Sequence, residues 1–178
     1  MKKKIITVSR EFGSGGRTIG KTVAQRLSIP YYDKELVKQV ALESGFDPKF
    51  IEEQGEFAPS KNRFAYAFLG RGVPGAMGGM SASDFLWTIQ YRVIRDLADK
   101  GPCVIVGRCA DYILRDDPRR LSVFVHAPLD ERVRRAREEY GVQEPNLEAY
   151  VLRQDRARAS YYNYFATGKW GQSREYDL

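Results

Sequence analysis

Apolar residues in this chain come as short continuous runs separated by amphipathic stretches. Ile5-Ile6-Thr7-Val8 is the first run, too short for a helix and followed by polar, Gly-rich sequence. It predicts a buried strand near residues 4–9. Ile19, Val23 and Leu27 then recur every four residues and predict a helix with that stripe turned to the core. Pro30-Tyr31-Tyr32-Asp33 predicts a short second strand near 30–32 that ends in an acid. Leu36, Val37, Val40 and Ala41 form the stripe of a helix over 34–44.

From Gly45 to Ser81 the pattern loosens, and Gly70, Gly72, Pro74, Gly75, Gly78 and Gly79 crowd into ten residues. Local preference cannot fix such a stretch. The segment Gly70–Gly79 is expected to be mobile and to fold over a bound acceptor. Ser81-Ala82-Ser83-Asp84 reads as a helix cap, and Phe85, Ile89, Val93 and Leu97 as the inner face of the long helix that follows. Cys103-Val104-Ile105-Val106 and Leu121-Ser122-Val123-Phe124-Val125 predict two more buried strands, near 103–107 and 121–126. Pro128, with Asp130 and Glu131, opens a helix that Gly141 closes, and Asn146 caps a last helix running to about Tyr164. Strands alternating with helices predict an α/β domain with a parallel sheet and right-handed crossovers.

The 178 residues suit one compact domain, and 43% hydrophobic content is enough for a core. The net charge of +6 favours a polyanionic ligand. A nucleotide fits that charge, and no aromatic-basic interleaving of a nucleic-acid platform appears. The opening Met1-Lys2-Lys3-Lys4 is followed by an apolar run too short for a signal peptide. No stretch nears the roughly 18 apolar residues of a membrane span. These features predict a cytoplasmic protein that does not engage a membrane. Cys103 and Cys109, the only cysteines, read as two packed thiols and not as a zinc site.

The candidate chemistry sits in the turn after the first strand. A literal G-x-x-x-x-G-K-T pattern runs from Gly15 to Thr22, but a phosphate-binding turn leaves its strand directly and opens a helix. The helical stripe is already running at Ile19, which places Lys21 beyond the helix mouth. The better register is Arg10-Glu11-Phe12-Gly13-Ser14-Gly15-Gly16-Arg17-Thr18. Gly13, Gly15 and Gly16, with Ser14, would let backbone amides approach phosphate oxygens. Arg17 would supply positive charge, and the Thr18 hydroxyl would reach Mg2+.

Four stretches carry a family resemblance: Ile6 through Arg17, Pro30 through Leu36, Val104 through Asp111, and Asp155 through Arg158 followed by Trp170-Gly171 and Tyr176-Asp177-Leu178. They resemble the cytidylate-kinase-like branch of the nucleoside monophosphate kinases. The resemblance implies a three-layer P-loop NTPase fold of the nucleoside monophosphate kinase type, with helical acceptor-binding and lid segments and sheet order 2-3-1-4. It implies a single kinase domain over 1–178, with a core of 1–44 and 101–145, an acceptor-binding insert of 45–100, and a lid and C-terminal region of 146–178. The family would begin a fifth strand near Tyr176-Asp177-Leu178, so a C-terminal edge strand and helix are expected beyond it.

By the same resemblance, Gly13 to Thr18 would hold the phosphates of ATP, and Arg108 would grip the phosphate of a small acceptor such as CMP. Arg156 and Arg158 would act as lid arginines on the transferring group, and Asp33 would face the acceptor. Arg153, one turn before Arg156 on the same helix face, joins the substrate-binding candidates. Arginine suits these roles because its planar fork pairs with phosphate oxygens. Blander readings stand beside them: Arg108 as the end of a strand, Asp33 as a helix cap, any lid arginine as solvated, and Tyr161, Tyr162, Tyr164 and Phe165 as helix packing. Gly16 stands where the family has its lysine, and Val106 where it has an acid before Gly-Arg. The missing lysine and the basic charge keep a second reading in view, a catalytically weak or inactive nucleotide-binding regulatory or nucleic-acid-associated domain.

Overall fold

A computed structural model describes residues 4–45 and 81–178. The Gly70–Gly79 segment and its expected closure lie outside the described residues, as does most of the insert. Four strands, β1 (Ile5–Arg10), β2 (Tyr31–Tyr32), β3 (Cys103–Val106) and β4 (Arg120–Val125), form one parallel sheet in the order β2-β3-β1-β4. The central strands stand in register, Ile5 beside Cys103 and Val8 beside Val106. Burial on both faces explains why β1 and β3 read as continuous apolar runs. At the outer edge of β4, Leu178 donates to the Ser122 carbonyl and accepts from the Phe124 amide (2.9 Å), the pattern of a parallel partner.

Helices cover both faces. On one side α2 (Lys34–Ser44), α3 (Ala82–Asp99) and α4 (Ala110–Ile113) pack Leu36, Val40, Ile89, Val93, Ile94 and Ile113 against Ile5 and Ile105. The predicted stripe of α2 is buried throughout, and so are Ile89, Val93 and Leu97 of α3. Ser81 caps α3 by accepting from the Asp84 amide, and Asn146 caps α6 (Leu147–Phe165) through the Ala149 amide. Between β4 and α6 lies α5 (Leu129–Glu138). Among the described residues, no helix is long and apolar enough to cross a membrane.

The helix α1 (Gly16–Leu27) on the other face departs from expectation. Ile19 is 46% exposed and Leu27 55% exposed, whereas Ala24 is 2% exposed, and Gly16 and Gly20 are buried with it. The inward face is Gly16, Gly20 and Ala24, one residue or about 100° away from the predicted stripe. Close approach to the sheet is the cause. A Cβ on Gly20 would stand 3.2 Å from a Val106 methyl carbon and 3.5 Å from the Tyr31 ring. Lys21 is exposed on the second turn, so its expected position holds although the stripe used to place it does not.

Candidate active site

The turn leaves β1 at Arg10 and reaches α1 at Gly16. Gly13 and Gly15 both have left-handed backbone, φ 78° and 85°, which costs any other L-residue about 1–2 kcal/mol. Gly15 is also the N-cap of α1, with no side chain capping the helix and no acid in its first turn. The helix mouth is therefore left uncapped by any side chain and free of acids in its first turn, an arrangement suited to phosphate. Next to the turn is a cavity of about 260 Å³, bounded across from it by Tyr140, Val142, Tyr150 and Arg158.

The turn is clamped from outside. Asp155 of α6 accepts the Phe12 amide (2.7 Å) and pairs with Arg132 of α5 (2.5 Å), whose guanidinium also lies 3.5 Å from Glu11. Arg132 is buried. Arg135, one turn on, donates to the Gly13 carbonyl (3.0 Å). A Cβ on Gly13 would meet the Arg132 carbonyl at 2.6 Å, so this turn position has no room for a side chain. Both arginines read as ordinary surface charge in the sequence. Their shared helix face, three residues apart, is the signal that could have set them apart. Phe12 packs edge-on between Tyr140 and Tyr150, under the Arg158 guanidinium.

A second unusual turn follows β3. Gly107, Arg108 and Cys109 are left-handed in succession, φ 73°, 57° and 54°. Two consecutive non-glycine residues in this region are strained, a feature that clusters at functional sites. Gln90, buried in α3, holds the strand end by donating to the Arg108 carbonyl (3.0 Å) and sharing a bond with Tyr161. A lone polar residue on an apolar helix face gave no hint of that task.

Of the predicted site residues, Gly13, Gly15, Gly16, Arg17 and Arg158 line the cavity at the turn, and Ser14 lies within the turn itself. Ser14 is tied back to the Glu11 carbonyl (2.9 Å), and Arg158 donates to the Arg10 carbonyl (3.4 Å). Thr18 is exposed on the first turn of α1. Arg17 points sideways into an ion pair with Asp33 (3.0 Å). Asp33 is the N-cap residue of α2, yet its side chain makes no cap bond. Arg153 is exposed, 4.0 Å from Glu144, and Arg156 is exposed one turn later. Tyr161 and Tyr162 are buried in helix packing, and Phe165 stacks on Trp87. Both cysteines are buried and free. Among the described residues, no group of three His, Cys, Asp or Glu is placed to hold a metal.

Below the turn, the Ser9 hydroxyl donates to Asp111 (3.2 Å). Burial pushes the Asp111 carboxyl above its usual range, opposed by its hydrogen bonds and by Arg120. The same buried carboxylate raises the Tyr162 phenol, after burial itself.

A family model described as the cytidylate kinase-like family matches residues 5–178. No curated protein matches the chain. Among solved structures, an uncharacterized protein from Eubacterium ventriosum is 31% identical, with a TM-score of 0.69 over 97% of this chain and 84% of that one. A shikimate kinase from Acinetobacter baumannii in complex with shikimate is 16% identical (TM-score 0.50, 97% and 86% covered). A gluconokinase from Sinorhizobium meliloti is 17% identical (TM-score 0.50, 86% and 76% covered). The two kinases share the fold with this chain.

Proposed function

The chain belongs to the cytidylate kinase-like family, and from that premise we propose that it transfers a phosphoryl group from ATP to a small acceptor, a nucleoside monophosphate such as CMP. The observation that carries the reading is the glycine-built turn at an uncapped helix mouth. Phosphoryl transfer asks for positioning and positive charge more than for covalent help. The backbone from Gly13 to Thr18 would hold the donor phosphates. Arg108, presented by the strained turn after β3, would hold the acceptor phosphate. Arg158, already over the turn, would neutralise the transferring group, and Arg156 and Arg153 would join it from the exposed face of α6. Arg17 and Asp33, as an ion pair beside α2, would border the acceptor.

Mg2+ would be held mainly by phosphate oxygens and water, as this ion commonly is, with the Thr18 hydroxyl as the protein's contribution. The bound ion would neutralise charge on the donor phosphates. The carboxylates at the turn, Glu11 and Asp155, are engaged by Arg132 and by backbone amides, which suits an ion that arrives with its nucleotide.

The regulatory reading is favoured by one observation, Gly16 at the position of the family's lysine. ADP release from ATP, measured with each nucleoside monophosphate and with small hydroxylic acids as acceptors, separates the two. Acceptor-dependent ADP release supports the kinase. Tight ATP binding with no acceptor-dependent release supports the regulatory domain.

A further inference from the structure

We propose that Arg10 supplies the inner phosphate-binding charge of this turn, in place of a lysine at the start of α1. The proposal rests on the reading of the turn as a donor-phosphate site. Arg10 is the last residue of β1, and two glycines make room for its side chain. A Cβ on Gly16 would stand 2.6 Å from the Arg10 Cβ and 3.0 Å from its Cγ. A Cβ on Gly107 would run into the Arg10 guanidinium itself, whose Cζ would be 3.0 Å away. The stem therefore lies across the first residue of α1, and the guanidinium reaches the end of β3 beside Arg108. That path crosses from the donor turn to the turn proposed to hold the acceptor.

Arg10 shares the cavity beside the turn with Arg17 and Arg158, while Arg132 is buried against Asp155 and Arg135 lies against the Gly13 carbonyl. What sets Arg10 apart is its path, with its stem against Gly16 and its guanidinium against Gly107. A lysine at position 16 and an arginine at position 10 would compete for one volume, so the absence of the first permits the second. An arginine fork there could make two parallel hydrogen bonds to one phosphate in a fixed geometry, where a lysine would act as a point charge.

The test is a relocation of the charge. Arg10→Met keeps a stem over Gly16 and removes the guanidinium. Arg10→Gly with Gly16→Lys moves the cation to the helix position, and Gly16→Lys alone places both in conflict. The probes are ATP and AMP, titrated by calorimetry, with a thermal melt of each variant. Wild type should prefer ATP to AMP. Arg10→Met should melt near wild type and lose about 10- to 150-fold in ATP affinity, the scale of a hydrogen bond to a charged group, with AMP little changed. The double variant should recover much of the ATP preference, and Gly16→Lys alone should be worse than the double. ATP preference unchanged in a folded Arg10→Met, or a double variant no better than Arg10→Met, overturns the role of Arg10 and leaves the kinase reading intact. A wild-type protein with no ATP affinity overturns both.

Discussion

The clamp on the turn makes a quantitative prediction. Arg132 is 5% exposed at its side chain and Asp155 13%, and they meet at 2.5 Å. Asp155 uses its other oxygen for the Phe12 amide. Arg132→Met removes one partner of a buried pair and strands the other, a change that costs about 3–5 kcal/mol. Asp155→Asn keeps an acceptor for the Phe12 amide and loses the charge, so its cost should be smaller. For a domain of this size, about 2–4 °C of Tm accompanies each kcal/mol, so Arg132→Met should lower Tm by roughly 6–20 °C. Urea unfolding of wild type, both single variants and the double gives the coupling energy. It should fall within about 0.5–3 kcal/mol, because the residues touch and share Phe12. Additive effects, or an Arg132→Met loss under about 1 kcal/mol, would show the pair behaving as an exposed one and refute its role as the anchor of the turn.

Further expectations concern positions around the clamp. Gly20→Val should cost about 1–3 kcal/mol by overpacking against Val106, whereas Ile19→Ser should stay within about 0.5 kcal/mol; denaturant melts that reverse this order would restore the original stripe. Lys21→Ala should leave ATP affinity unchanged, and Arg17→Ala should weaken it less than Arg10→Met does; calorimetry showing a crippled Lys21→Ala would reinstate the literal motif. Asp111 has a raised carboxyl pKa in the fold, so its contribution is most favourable below the unfolded value near 3.9 and is lost as pH rises through the folded one. Asp111→Asn should therefore gain stability relative to wild type between pH 4 and pH 7, and urea curves giving a constant difference would count against a buried, titrating Asp111.

The sheet was legible because its central strands are buried on both faces, so Ile5 to Val8 and Cys103 to Val106 appear as unbroken apolar runs. The faces of α2 and α3 were legible because large residues do their packing. The face of α1 was not, because Gly16, Gly20 and Ala24 pack by being small, and smallness carries no hydrophobic signature. Within the site, the glycine turn could be read from spacing, since backbone chemistry depends on where side chains are missing. The clamp could not. Arg132 and Asp155 are 23 residues apart, and each lies in a stretch dense with charges of both signs. Arg10 was hidden for a related reason: its path is defined by Gly16 and Gly107, which meet only when β1 and β3 pair.

Transfer of label from γ-labelled ATP, with Mg2+, to each nucleoside monophosphate tests the central claim most directly, with products separated and identified. The account predicts that label leaves ATP and appears on the acceptor as a nucleoside diphosphate, with CMP among the acceptors that receive it. Label that stays on ATP with every acceptor, or appears only as inorganic phosphate, contradicts it.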